Sequence, residues 1–117
     1  MLTAFAAEQG ISAGQVSGIG ALERATLGFY RLKQKKYHRI RVDKHTEALS
    51  IIGNLSVTDE GPRAHLHATL SNMDGSTVGG HLFDAHVGAT LEVFVREARG
   101  ELRRTDDPDI GLPLLDL

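Results

Sequence analysis

Three stretches of the chain place an apolar side chain at nearly every second position, and that period constrains the fold more than any other feature. Leu49, Ile51, Leu55 and Val57 oppose Ser50, Asn54 and Ser56 within Glu47–Val57. Ala64, Leu66, Ala68 and Leu70 oppose His65, His67 and Thr69, and Ala89, Leu91, Val93 and Val95 oppose Thr90, Glu92, Phe94 and Arg96. Residues two apart leave a strand on the same face, so each run predicts a half-buried strand. Gly53 interrupts the first run and predicts a bulge or a close backbone approach. Asp59-Glu60-Gly61-Pro62 and Met73-Asp74-Gly75 read as turns. Ala21–Tyr30 and Tyr37–Val42 read as a hairpin around the basic turn Arg31–Lys36, and Glu101–Arg104 as a last short strand. Only Leu2–Gln9 has helical spacing, through Leu2, Phe5, Ala6 and Gln9, with Gly10 as its stop. At least five strands with one or two short helices predict an α+β domain on a curved, mainly antiparallel sheet.

At 117 residues there is room for one domain, residues 1–117, with a core over about residues 3–105 and an irregular tail over 106–117. That tail holds Pro108 and Pro113 among Leu112, Leu114, Leu115 and Leu117, so it should pack on its own sheet or on a neighbouring subunit. The lack of cysteine excludes disulfides, thiolate metal sites and cysteine nucleophiles, and fits a reducing compartment. No apolar run approaches the roughly 20 residues that cross a bilayer, and Leu2–Ala7 lacks the basic flank of a signal peptide. The chain therefore reads as cytoplasmic.

Histidine carries the strongest chemical signal. His65 and His67 stand two apart on one strand face, and His81 follows a turn and the pair Gly79-Gly80, whose missing side chains let the backbone pass close to the sheet. Three neutral imidazoles with a fourth position open form a catalytic type of zinc site; the alternative is three unrelated histidines. If they are ligands, zinc affinity should fall as the rings protonate below about pH 6.5. Glu47 and Glu92 are candidate proton acceptors beside such a site, and each could equally be solvated or ion-paired.

A second signal is basic: Arg31, Lys33, Lys35, Lys36, Arg39 and Arg41, with Lys44, crowd fourteen residues between Tyr30 and Tyr37 and beyond. Such a run can neutralise phosphates, or simply solvate a hairpin. The chain's net charge of −2 and the lack of any recognisable DNA-reading element predict weak or absent DNA binding. Gly10-Ile11-Ser12-Ala13-Gly14 matches a nucleophile-elbow pattern, but a helix precedes it where a strand is required. Asn54-Leu55-Ser56 is a glycosylation sequon without secretory context, and Gly18-Ile19-Gly20 lacks the third glycine of a dinucleotide fingerprint.

The runs Gly18-Ile19-Gly20-Ala21-Leu22, Glu47 to Ser56, His65-Leu66-His67-Ala68-Thr69-Leu70, Asp74-Gly75, Val78-Gly79-Gly80-His81-Leu82 and Ala89 to Val93 come in an order that resembles the plant and prokaryote conserved (PPC, or PCC) domain, also designated DUF296. The resemblance implies a compact α+β subunit in a homotrimer, within a superfamily similar to acetolactate decarboxylase, where an HxH pair and a further histidine hold zinc. Carried over, the zinc ligands are His65, His67 and His81, around a small oxygen-rich ligand. It also offers another class of function, since plant members accompany AT-hooks in transcriptional regulation and prokaryotic ones are often described as DNA-binding. In that reading the histidines are structural. Members usually begin with a strand ahead of the helix, so the resemblance implies a missing edge strand or a truncated start, and it leaves His86 without an inherited role.

Overall fold

The computed structural model of the protein describes residues 1–116. Helix α1 (Leu2–Gln9) ends as expected at Gly10, which takes the left-handed conformation (φ 68°) while the Ile11 N–H donates to the Ala6 carbonyl at 2.9 Å. Five strands follow: β1 (Gly14–Arg31), β2 (Lys36–Val42), β3 (Thr46–Thr58), β4 (Gly61–Ser71) and β5 (Thr77–Glu97). A 3₁₀ turn, Leu32–Gln34, joins β1 to β2. All pairings in this sheet are antiparallel, in the order β2-β1-β3-β4-β5, and β5 returns to pair with β1. The expected curvature therefore closes β1, β3, β4 and β5 into a ring, with β2 as an extension along β1.

Closure depends on two strands longer than the sequence pattern suggests. β1 begins at Gly14, not Ala21, and β5 is one strand where a link was expected between His81 and Ala89. Shifts of register at Gly20/Leu22, Leu22/Arg24 and Thr26/Leu27 bend this pair around the core. Val16, Leu22, Leu27, Leu55 and Leu70 are buried inside, and Ala6 of α1 joins them. The Ala64–Leu70 face points inward as expected, with Ala64 partly buried. Leu49 does not join Ile51: a shift of register between Ala48 and Ser50 turns it outward, half exposed. The bulge expected at Gly53 thus lies upstream, and Gly53 itself marks the close approach.

The C-terminal segment also departs from expectation. The last strands are β6 (Arg104–Asp107) and β7 (Leu112–Leu115), paired as a hairpin in place of a strand over Glu101–Arg104 and an irregular tail. Asp107 makes the turn, its carboxylate accepting the N–H groups of Asp109 and Ile110 at 2.8 and 2.9 Å, and Gly111 closes it at φ 79°. The tail packs on its own chain: Tyr30 Oη donates to the Ile110 carbonyl at 2.6 Å and Lys35 Nζ to that of Pro108 at 2.8 Å. Leu117 lies outside the described residues. Among those described, no helix is long and apolar enough to cross a membrane.

Candidate metal centre

Register brings the three histidines together. His65 and His67 alternate outward from β4 because Leu66 and Ala68 face the core, and His81 on β5 is the direct cross-strand partner of His67. Their candidate ligating nitrogens all lie within 4.8 Å of one another. The ring centroids are 5.1 Å apart for His65 and His81, 5.3 Å for His65 and His67, and 5.6 Å for His67 and His81. The close approach ascribed to Gly79-Gly80 is present: a Cβ at Gly80 would sit 2.6 Å from the Gly28 carbonyl oxygen. Gly28 in turn leaves the space that Phe83 and Tyr37 fill, and those rings pack 4.7 and 5.1 Å from His81.

A cavity of about 60 Å³ opens beside His65 and His81, lined also by Tyr37, Arg63 and Arg104 and roofed by Leu112, Pro113 and Leu114 of the tail. The buried Arg104 side chain ties this wall together. Its Nε donates to Ser56 Oγ at 3.0 Å, Nη1 to the Pro113 carbonyl at 3.0 Å, and Nη2 to Asn54 Oδ1 at 3.0 Å and His65 Nδ1 at 3.1 Å. A guanidinium only donates, so His65 accepts at Nδ1 and carries its own proton on Nε2. A neutral ring has one lone pair, and a metal ion can take either nitrogen only at the expense of this hydrogen bond.

Burial pushes the His65 imidazole below its ordinary pKa, with the charges of Arg104, His67 and Arg63 adding to the effect. Burial and the neighbouring His65, His67 and Arg63 push His81 down to about 4. These rings stay neutral and able to ligate below the pH of 6.5 expected from sequence. Unfolding returns His81 to its ordinary value near 6.5, so between about pH 6.5 and 4 the unfolded chain binds protons that the folded site refuses. The metal-free protein should therefore lose stability as pH falls through that window and lose no more from this group below it. Urea unfolding of the wild type and His81→Asn across pH 7 to 4 checks this: the variant's stability should fall less, and parallel curves would contradict it.

His81 Nδ1 is buried without a hydrogen-bond partner. An orphaned imidazole nitrogen beside two further imidazoles suits a borderline-soft divalent ion such as zinc, so the residues fit the metal that their spacing suggested.

The remaining candidates lie elsewhere. Glu47 pairs with Ser71 and lines a separate pocket with Lys44, His45 and Asp74, while Glu92 pairs with Ile19 beside Phe94. Neither lines the histidine cavity. His86 contacts Arg24, 3.0 Å from its Nε2. In the basic run, Lys35 is held by the tail, Arg39 lies 4.1 Å over the Phe83 ring, and Arg41 meets Asp43 at 3.6 Å. Arg31, Lys33 and Lys36 are exposed at the β1–β2 end. Arg63, Tyr37, Phe83 and Arg104 were missed from the sequence. Arg63 was legible there, because it stands two before His65 and shares its face.

No functionally curated protein matches the chain. Among solved structures it is similar to a metal-containing protein from Archaeoglobus fulgidus, at 39% identity and a TM-score of 0.91, covering 99% of this chain and 82% of that one. A plant- and prokaryote-conserved protein from Pyrococcus horikoshii shares 32% identity at a TM-score of 0.93, over 99% of this chain and 80% of its own. A candidate DNA-binding protein from Bacteroides thetaiotaomicron shares 36% at 0.94, over 98% and 80%. The pattern of the Plants and Prokaryotes Conserved (PCC) domain matches residues 1–99. The chain belongs to the Plants and Prokaryotes Conserved domain family.

Proposed function

We propose that the protein is a homotrimeric, cytoplasmic metal-binding protein in which His65, His67 and His81 hold zinc and bind a small oxygen-rich ligand. The observation that carries the reading is the convergence of three imidazoles whose candidate ligating nitrogens lie within 4.8 Å of one another, one of the rings, His81, burying an Nδ1 with no hydrogen-bond partner. The resemblance to a superfamily with an HxH zinc site and the metal-containing relative from Archaeoglobus fulgidus support it. A zinc ion supplies Lewis acidity toward an oxygen of the ligand. The chain's own residues do the rest: Tyr37 and Phe83 pack against His81, and Leu112 to Leu114 line the cavity beside it. Glu47 and Glu92, the proton acceptors expected from the sequence, stand outside this cavity within one chain. Zinc titration of the metal-free protein tests the reading, with saturation at one ion per chain expected and no saturable binding against it.

The trimer is supported by an apolar patch on the same outer face. A cross-strand row runs His81, His67, Ile52, Ser17, Phe94, and Ile19 and Leu49 lie alongside. Ile52, Phe94, Ile19 and Leu49 are all at least half exposed, a cluster that assembly would cover. Light scattering should give the mass of three chains and Phe94→Glu a smaller species; a wild-type monomer at micromolar concentration contradicts this.

A second reading, association with DNA, is favoured by the relative from Bacteroides thetaiotaomicron and by the exposed Arg31, Lys33 and Lys36. Because Lys35, Arg39 and Arg41 are engaged within the chain, binding to duplex DNA should be weak and should fall steeply with salt. Fluorescence anisotropy with a labelled duplex checks this, and nanomolar sequence-specific affinity at physiological salt would favour the DNA reading instead.

A further inference from the structure

The charge of the histidine cavity is one-sided. Arg104 is buried, and all four of its hydrogen-bond acceptors are neutral. Among the described residues neither Arg104 nor Arg63 forms an ion pair, and no carboxylate lines the cavity that both of them border. Carboxylates do occur nearby: Asp59, Glu60 and Asp106 line an adjoining cavity that Arg63 and Arg104 also border, yet none of them pairs with either arginine, and Asp59 is held by Arg103 at 2.9 Å. A buried guanidinium without a counter-charge is costly, and a divalent cation held on the adjacent imidazoles would raise the positive potential further.

We propose that the cavity is an oxyanion site that takes a small carboxylate, gripped by the Arg63 guanidinium at the rim and drawn inward by the charge of Arg104. Arg63 fits the role because its planar fork matches the two oxygens of a carboxylate and, among the described residues, no ion pair or side-chain hydrogen bond holds it. Arg104 supplies field more than contact, since most of its N–H groups are already committed. At about 60 Å³ beside leucine and proline side chains, the cavity suits an acetate-sized anion. This assigns a charge to the oxygen-rich ligand and so rests on the metal-centre reading for its place in function. The arginine pair itself is present with or without an ion.

Calorimetric titration of acetate into the full chain, zinc-loaded and metal-free, in a chloride background at constant ionic strength, tests it. Saturable acetate binding is expected in both forms and tighter in the zinc-loaded one. Arg63→Gln should weaken it about tenfold or more, the scale of a lost charge-assisted contact, while Arg63→Lys recovers part of the loss. Arg63 is exposed, so the variants should fold, and zinc binding should not weaken in Arg63→Gln, because its charge repels a cation held on His65 and His81. Equal acetate affinity in Arg63→Gln and wild type, or no saturable binding in either form, overturns the proposal. Binding of inorganic phosphate without acetate overturns the carboxylate assignment. Failure of zinc to bind sinks the metal reading alone, because the metal-free arm reports on the arginines.

Discussion

Alanine at any one of His65, His67 or His81 is expected to weaken zinc binding by at least about a hundredfold, since losing partners one step further from a metal already costs about 10–100-fold. The three positions should behave alike because they are a geometric unit. His67 and His81 face each other across one β4–β5 pair, and His65 is the next outward residue of the same strand. His38→Ala, His45→Ala and His86→Ala should bind zinc as the wild type does. His38 is paired with Phe29 on the β2 edge, His45 lines a separate pocket, and His86 rests on Arg24. Zinc titrations monitored with a competing chromophoric chelator distinguish the two sets. Loss of zinc in His86→Ala with retention in His81→Ala would show that the third ligand has been misassigned.

Gly53→Ala should be among the most damaging single-methyl changes available to this chain. Gly53 pairs with Val16 on one side and Leu66 on the other, and its missing side chain is what lets β4 lie so close. A Cβ there would stand 2.9 Å from both the His65 carbonyl carbon and Leu66 Cα, all backbone that no rotamer change can clear. The cost should be roughly 3 kcal/mol, at the upper end of overpacking penalties. For a domain of this length that is about 10 °C or more in Tm. Because the displaced backbone belongs to His65, zinc affinity should fall together with stability. Calorimetry and zinc titration on the same sample check the pair, and an unchanged Tm would refute the close approach.

Where local patterning controls structure, the sequence was legible. Alternation places Leu66, Ala68 and Leu70 inside and His65 and His67 outside, which is why the histidine face is legible in the sequence alone. What it could not reveal was the long-range partner. The alternation begins the strand only at Ala21, yet Gly18 and Gly20 sit inside β1, where a Cβ at Gly18 would lie 3.0 Å from the Glu92 carbonyl oxygen. Phe83-Asp84-Ala85-His86 breaks the period of β5 because the register against β1 shifts there, and a shift of register leaves no signature in one strand alone. Leu49 failed for the same reason.

The tail, by contrast, carries a local signal of its own. Asp107-Pro108-Asp109-Ile110-Gly111 holds an aspartate that can accept from its own following N–H groups and a glycine for the left-handed position, enough to predict a turn and hence a hairpin. Its consequence reaches the site, since the hairpin carries Arg104 to His65 and lays Leu112 to Leu114 over the cavity. Asn54 likewise owes its position to structure, as the acceptor for Arg104.

The central claim is that these three histidines hold a metal, and the metal content of the protein tests it most directly. Protein purified without a polyhistidine tag, loaded with zinc and exhaustively dialysed, should retain one zinc per chain by elemental analysis. The His65→Ala/His67→Ala/His81→Ala variant, confirmed folded by circular dichroism, should retain none. Equal zinc in the two proteins, or none in the wild type, would contradict the account.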